Sequence, residues 1–253
     1  MLRIITDFDG PLVDVSERYY QVYRFCLAQI GRPEQAITCL DKSTFWALKR
    51  ARVPETEVGR RSGLSEEQAR VFSQLRQATV HTHPYFEFDQ LQPGVIALLG
   101  HLRDQGIDLA VLTMRRQSEL AFALNQFGLG ELFTEERRFC LPEPYQKTRD
   151  DLDKPLLMAQ ALQILPPAAT TWMVGDTEAD LVAAQIHGLP VVAVLNGIRD
   201  RERLATYQPV QIVDDLEAAV TWIAAVMGEA LAQKTGDQPQ AQEDCQAGEA
   251  VLG

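Results

Sequence analysis

At 253 residues, with 46% hydrophobic and 23% charged, the chain has the material of one large folded domain or of a core carrying a smaller second one, and not that of a disordered polymer. Its formal charge of −11 argues against broad attraction to nucleic acid or an anionic membrane surface. The four cysteines, Cys26, Cys39, Cys140 and Cys245, form neither a CxxC pair nor a zinc-ligand spacing, and no stretch reaches the roughly 18 apolar residues of a membrane span; a soluble protein of a reducing, cytoplasmic compartment is expected.

Residues 1–6 are apolar and β-prone and run into Asp7-Phe8-Asp9-Gly10-Pro11, so a buried strand is expected to end by presenting two carboxylates. In extended backbone their spacing sends both side chains to one side, where they repel unless a cation joins them; the other reading is a polar strand-end turn. A helix is expected over 15–30, with Ser16 as its N-cap and Tyr19, Val22, Tyr23, Cys26, Leu27 and Ile30 at helical intervals. Further helices are expected over 43–50 and 65–80, the latter opened by the capping-box spacing of Ser65 and Gln68. The glycine-flanked stretch 58–64 reads as a loop between them, doubly cationic at Arg60 and Arg61. His81 and His83 read as linker residues. Phe45, Trp46, Leu48, Tyr85, Phe86 and Phe88 read as packing, and 15–90 as an inserted helical module.

Beyond residue 90 helix and strand alternate: helix to 105, strand 107–112 ending at Thr113, helix 117–127, a short strand 138–141, helix 156–165, strand 170–174, helix 179–187, strand 190–195, strand 210–213 and helix 216–227. This alternation predicts a parallel sheet with helices on both faces and a site at the carboxyl ends of its strands. From 229 onward the composition turns to Gln, Ala, Gly and acidic residues, and a mobile acidic tail is expected over 229–253.

The expected strand ends and loops offer Asp7 and Asp9, then Thr113, then Lys147 and Lys154, then Asp176 with Asp180. Asp176 and Asp180 are spaced to lie near one helical face, where they would serve either as a helix cap or as ligands of a shared metal. Arg115 and Arg116 read as surface residues at a helix start or as substrate contacts.

Taken in order, DFDG, LT, DKP and VGDTEAD resemble the four motifs of the haloacid dehalogenase superfamily, over roughly residues 1–200. The resemblance implies an α/β fold, a doubly wound parallel sheet of Rossmann-like type with an inserted all-helical cap, as in phosphoglycolate phosphatase-like and β-phosphoglucomutase-like members. The domains would be a core of 1–14 and 91–228, a cap of 15–90 and the tail. It further implies a Mg²⁺-dependent phosphatase that hydrolyses a small phosphorylated metabolite through an aspartyl phosphate. Asp7 would be nucleophile and metal ligand. Asp9 would be the acid and then the base, its backbone carbonyl also binding Mg²⁺. Thr113 would donate to the phosphoryl oxygens and Lys154, favoured over Lys147, would neutralise charge; Asp176 and Asp180 would complete the metal site, with Asp180 acting through water or by orienting Lys154. Met114 departs from the polar residue many relatives carry, and Pro11 from their Thr or Val. Substrate choice would come from the cap, with Arg60 and Arg61 as candidate contacts. The same superfamily also holds phosphomutases and phosphonatases, the latter requiring a cap lysine for which Lys42 and Lys49 are candidates, and a non-catalytic binding protein on this fold is the alternative outside enzymology.

Overall fold

The computed structural model describes residues 1–236. The chain begins with β1 (Leu2–Thr6) and the two-residue β2 (Val13–Asp14), then passes through α1 (Ser16–Ile30), α2 (Lys42–Arg50), α3 (Glu55–Arg61), α4 (Glu66–Thr79) and the single turn α5 (His83–Phe86). It returns through β3 (Gln90–Leu91), α6 (Val95–Asp104), β4 (Asp108–Arg116), α7 (Gln117–Gln126) and β5 (Arg138–Leu141). The remaining elements are α8 (Asp150–Ile164), β6 (Thr170–Gly175), α9 (Glu178–Ile186), β7 (Val191–Val194), α10 (Arg201–Ala205), β8 (Gln211–Val213) and α11 (Leu216–Gly236).

Six strands form one parallel sheet in the order β5-β4-β1-β6-β7-β8. From β1 the chain steps outward to β4 and β5, then crosses back to β6 on the other side, so β1 stands at the point where the winding reverses and a crevice opens at the strand ends. The register places that crevice: Thr6 lies opposite Val111 of β4 and Val174 of β6, so the residues just beyond β1 and β6 and the late residues of β4 come level. The core beneath is apolar and fully buried. Leu157, Met158 and Ala161 of α8 and Leu181 and Ala184 of α9 pack with Ile5, Ala110, Leu112 and Met173 of the sheet.

The helices of 16–86 have a core of their own, built from Val22, Tyr23 and Cys26 of α1, Phe45 of α2, Val58 of α3 and Ala69 and Phe72 of α4. The Tyr23 and Phe45 rings stack with centroids 4.6 Å apart, and Tyr23 satisfies its buried hydroxyl on Ser62 Oγ at 2.8 Å while accepting from the Leu40 N–H at 2.9 Å. Ser65 and Gln68 form the expected capping box at the start of α4. The insert leaves and re-enters the chain through β2 and β3, which pair antiparallel with Val13 opposite Leu91.

Several local expectations are corrected. Ser16 is not the N-cap of α1: it is the first helical residue, and its N–H is held by the Asp14 carboxylate at 2.8 Å. Of the stretch 58–64 only 62–64 form a loop. Residues 55–61 are α3, and Gly59 is there because a side chain would press on Leu64 and Phe72, so the glycine permits close packing and is no hinge. The helix expected from 156 begins at Asp150, because an acidic first turn (Asp150, Asp151, Asp153) suits the positive helix start, and Pro155 is accommodated near it. The last helix runs beyond 227 to Gly236; of the expected tail, 237–253 lies outside the described residues. The chain divides into two compact units, Met1–Ala219, which holds both the sheet and the insert, and the residues from Val220. No helix among the described residues is long and apolar enough to cross a membrane, and Cys26, Cys39 and Cys140 are free thiols, with Cys245 outside the described residues.

Candidate active site

Asp7 follows β1 directly, and its backbone N–H bonds to the Val174 carbonyl of β6 at 2.9 Å, which ties the end of β1 to the approach to Asp176. Its carboxylate accepts from the Phe8 N–H at 2.7 Å through one oxygen and from Lys154 Nζ at 2.8 Å through the other. Lys154 projects from the start of α8, is fully buried, and also reaches Asp180 Oδ1 at 2.5 Å. Of the two lysines considered, Lys154 is therefore the one that meets the carboxylates; Lys147 pairs with Asp150 at 2.8 Å and stands at the cavity wall.

Ligand atoms of Asp7, Asp176 and Asp180 lie within 4.8 Å of one another, all three residues being buried. Asp180 also caps α9, accepting from the Thr177 N–H at 3.0 Å and the Thr177 hydroxyl at 2.7 Å, so the capping and clustering readings hold together. Asp176 takes the Ile198 N–H at 2.6 Å through Oδ2, while its buried Oδ1 has no hydrogen-bond partner among the described residues. Backbone closes on the pair. A Cβ on Gly10, whose φ of +94° already favours glycine, or on Gly197 would overlap the Asp176 carboxyl, and one on Gly175 would overlap that of Asp180.

The electrostatics follow from this crowding. Burial pushes the Asp7 carboxyl up to about 7, against the lowering effect of Lys154 and with Asp180 adding to the rise. Burial, then Asp7 and Asp180, push Asp176 well above the usual carboxylate range. Burial works against the Lys154 ammonium, but Asp180 and Asp7 hold it above its usual range. Three carboxylates against one ammonium leave two negative charges uncompensated, in an all-oxygen cluster with an orphaned oxygen; the residues fit a hard divalent cation.

Asp9 departs from the sequence expectation. Its carboxyl does not join Asp7 in the cluster; it turns to two guanidiniums, Arg115 at 2.6 Å and Arg18 at 2.9 Å. Both arginines also hold Asp89, at 2.6 and 3.0 Å, closing a ring of two carboxylates and two guanidiniums in which Arg18, Arg115 and Asp89 are buried. Burial alone would raise the Asp9 carboxyl, but Arg115 and then Arg18 hold it below the usual carboxylate range. Both guanidiniums stand against the Phe86 ring, 5.1 and 5.3 Å from its centre. Arg115 is thus buried rather than on the surface, and Arg116 fastens the 143–145 loop through the Glu143 and Tyr145 carbonyls at 2.6 and 3.2 Å.

Thr113 is buried on β4, and a cavity of about 130 Å³ is lined by Asp7, Asp9, Thr113, Arg115, Lys154 and Asp176 among others. A larger space of about 490 Å³ shares Tyr19, His81, Met114, Lys147 and Arg199 with it, so His81 stands at the site and not only in a connection. Arg60 and Arg61 line neither space: both pair with Glu57 on the exposed side of α3, at 2.6 and 3.0 Å. Lys42 and Lys49 line neither space, and pair with Glu17 and Glu55. Sequence reading did not find Asp89, Arg18 or the role of Arg115. The ring joins positions far apart in the chain, and no local pattern announces it.

The family model of haloacid dehalogenase-like hydrolases matches residues 2–188. The chain belongs to that family. It is 30% identical over 225 residues to a phosphoglycolate phosphatase of Synechococcus elongatus, covering 87% of this chain and 98% of the relative. It is 26% identical to a phosphoglycolate phosphatase of Pseudomonas syringae pv. syringae, covering 86% and 78% of the two chains. Its fold superposes on that of a haloacid dehalogenase-like family protein from Streptococcus pneumoniae with a TM-score of 0.63 at 22% identity, covering 87% and 97% of the two chains.

Proposed function

We propose that this hydrolase is a Mg²⁺-dependent phosphatase that cleaves a small phosphate monoester through an aspartyl phosphate on Asp7, with the substrate held between the core of 1–14 and 91–228 and a cap formed by 15–90. The observation that carries the reading is the placement of Lys154 Nζ between Asp7 and Asp180, at the cavity wall and beside the Asp176 cluster. The relatives' activity supports the phosphatase assignment, and the small inner cavity suits a phosphoryl group, with the leaving group extending into the larger space.

A carboxylate attacking a phosphate monoester meets anion–anion repulsion, and the site answers it with fixed positive charge. Asp7, Asp176 and Asp180, with the Asp9 backbone carbonyl that the family pattern adds, would hold Mg²⁺, which would supply the remaining neutralisation. Lys154 holds one Asp7 oxygen in place and balances charge on the phosphoryl group. Asp7 attacks phosphorus as the bond to the leaving oxygen breaks, and the Thr113 hydroxyl donates to a phosphoryl oxygen. Asp9 handles protons: its carboxyl donates to the leaving oxygen, then accepts one from the water that opens the aspartyl phosphate. Its salt bridges to Arg115 and Arg18 suit the accepting half, and the donating half requires separation from at least one guanidinium.

The test is Asp7→Asn. It is expected to abolish Mg²⁺-dependent phosphate release from p-nitrophenyl phosphate and from 2-phosphoglycolate while leaving the circular dichroism spectrum unchanged. Wild-type turnover in that variant would refute the nucleophile.

A further inference from the structure

The loop after β7 does more than connect it to α10. Its Ile198 N–H grips Asp176 Oδ2 at 2.6 Å, and Gly197 packs so closely on the same carboxyl that no side chain fits. The orientation of Asp176 is therefore set by where residues 195–200 sit. The core holds that loop through Gln92 on the Asn196 carbonyl at 3.2 Å and Arg199 on Glu178 at 2.7 Å, and the helical insert holds it as well. Arg50, the last residue of α2, donates through Nη2 to the Leu195 carbonyl at 2.9 Å and to the Arg199 carbonyl at 3.2 Å, with Nε 3.3 Å from the latter. The contact is reciprocal, because the Asp200 N–H bonds to the Arg50 carbonyl at 3.3 Å. One side chain of the insert thus grips a core loop at both ends of the segment whose middle holds Asp176.

We propose that Arg50 is a positioning residue for the metal site: by fixing the 195–200 loop it sets the Asp176 carboxyl for a divalent cation, so that seating of the insert and cation affinity are coupled. The inference rests on the reading of Asp7, Asp176 and Asp180 as cation ligands. A guanidinium suits the task because its planar fork serves two carbonyls at once and keeps its charge at any working pH. A second cross-contact of the same region, Arg52 with Glu178 at 2.9 Å, holds insert to core and reaches the loop only through Glu178, which Arg199 grips at 2.7 Å, so it provides the comparison. Coupling is reciprocal by linkage: a cation bound by Asp176 must favour the seated insert as much as the seated insert favours the cation.

The experiment is titration of the full chain with Mn²⁺ in the absence of substrate, by calorimetry and by the loss of the free Mn²⁺ electron-spin signal. Arg50→Ala is expected to weaken Mn²⁺ binding about 10-fold, the scale of losing a group that orients a ligand. Arg50→Lys is expected to recover part of that loss. Arg52→Ala is expected to bind Mn²⁺ as the wild type does, and Asp176→Asn to bind it least. Hydrogen exchange at the Ile198 amide should quicken in Arg50→Ala alone. Wild-type affinity in a folded Arg50→Ala protein, or an equal loss in Arg52→Ala, would overturn the coupling while leaving the cation site standing. Equal binding by wild type and Asp176→Asn would remove the site and the inference together.

Discussion

Replacing Lys154 by Met keeps most of its length and apolar stem and removes only the charge that separates Asp7 from Asp180. All three groups are buried, so the loss strips compensation from carboxylates that cannot turn to water; breaking such a pair costs about 3–5 kcal/mol. For a chain of this size each kcal/mol moves the thermal midpoint by about 2–4 °C, which gives a fall of about 6–20 °C for the metal-free protein near pH 8. The deficit has a sign in pH. Asp7 is already raised to about 7, chiefly by burial, with Lys154 present, and losing the lysine raises it further. A raised carboxyl contributes stability that is complete below its unfolded value near 4 and is lost as pH climbs through its folded value, so the variant should approach the wild type by pH 5. Differential scanning calorimetry at both pH values, with EDTA present, measures this. In steady-state kinetics with 2-phosphoglycolate, kcat should drop by at least about 10²-fold, the scale of removing one oriented charge-stabilising donor. A variant with near-normal kcat, or a loss of stability equal at pH 5 and pH 8, would refute the reasoning.

The same sign argument applies to the unaltered protein. Burial, with neighbouring carboxylates adding to it, raises Asp7 and Asp176, so metal-free stability should decline as pH rises from about 4 to about 7, and 5 mM Mg²⁺ should raise the thermal midpoint more at pH 8 than at pH 5; an equal shift at both would contradict the cluster. Arg60→Ala with Arg61→Ala should leave kcat/KM for 2-phosphoglycolate within about two-fold and cost less than about 1 kcal/mol in urea unfolding, since both arginines make exposed pairs with Glu57; a large rise in KM would return them to the substrate.

What the sequence disclosed, and what it withheld, follows the range of the interactions. Asp7 and Asp176 were legible because each sits just past a buried apolar strand, and parallel pairing brings such positions level without any further information; Thr113, expected to end its strand, lies within β4, which runs on to Arg116. Lys154 was legible by pattern, though its helix begins earlier than its Pro155 suggested. Asp9 shows the limit. Alternation placed it beside Asp7, but the partner a carboxylate chooses depends on charges brought in by α1 and β4, and these sent it to Arg18 and Arg115. Gly59 misled for a related reason: a glycine followed by two arginines looks like a break until Leu64 and Phe72 are found pressed against it. Asp89 carried no local signal at all, since a single acid between an aromatic and a short strand is ordinary until two arginines converge on it.

The pairing of Val13 with Leu91 has a consequence for how this architecture can change. Because the chain departs and comes back across one short antiparallel pairing, the helices between are joined to the core through the backbone at nearly one place, and otherwise meet it through side chains such as Arg18, Arg50 and Arg52. Lengthening or shortening them alters neither the register of β1 with β4 and β6 nor the chain order of Asp7, Asp9, Asp176 and Asp180. The six-stranded sheet can therefore keep its register while the helices grafted there diverge, so long as they still bring Arg18 to Asp9 and Arg50 to the 195–200 loop.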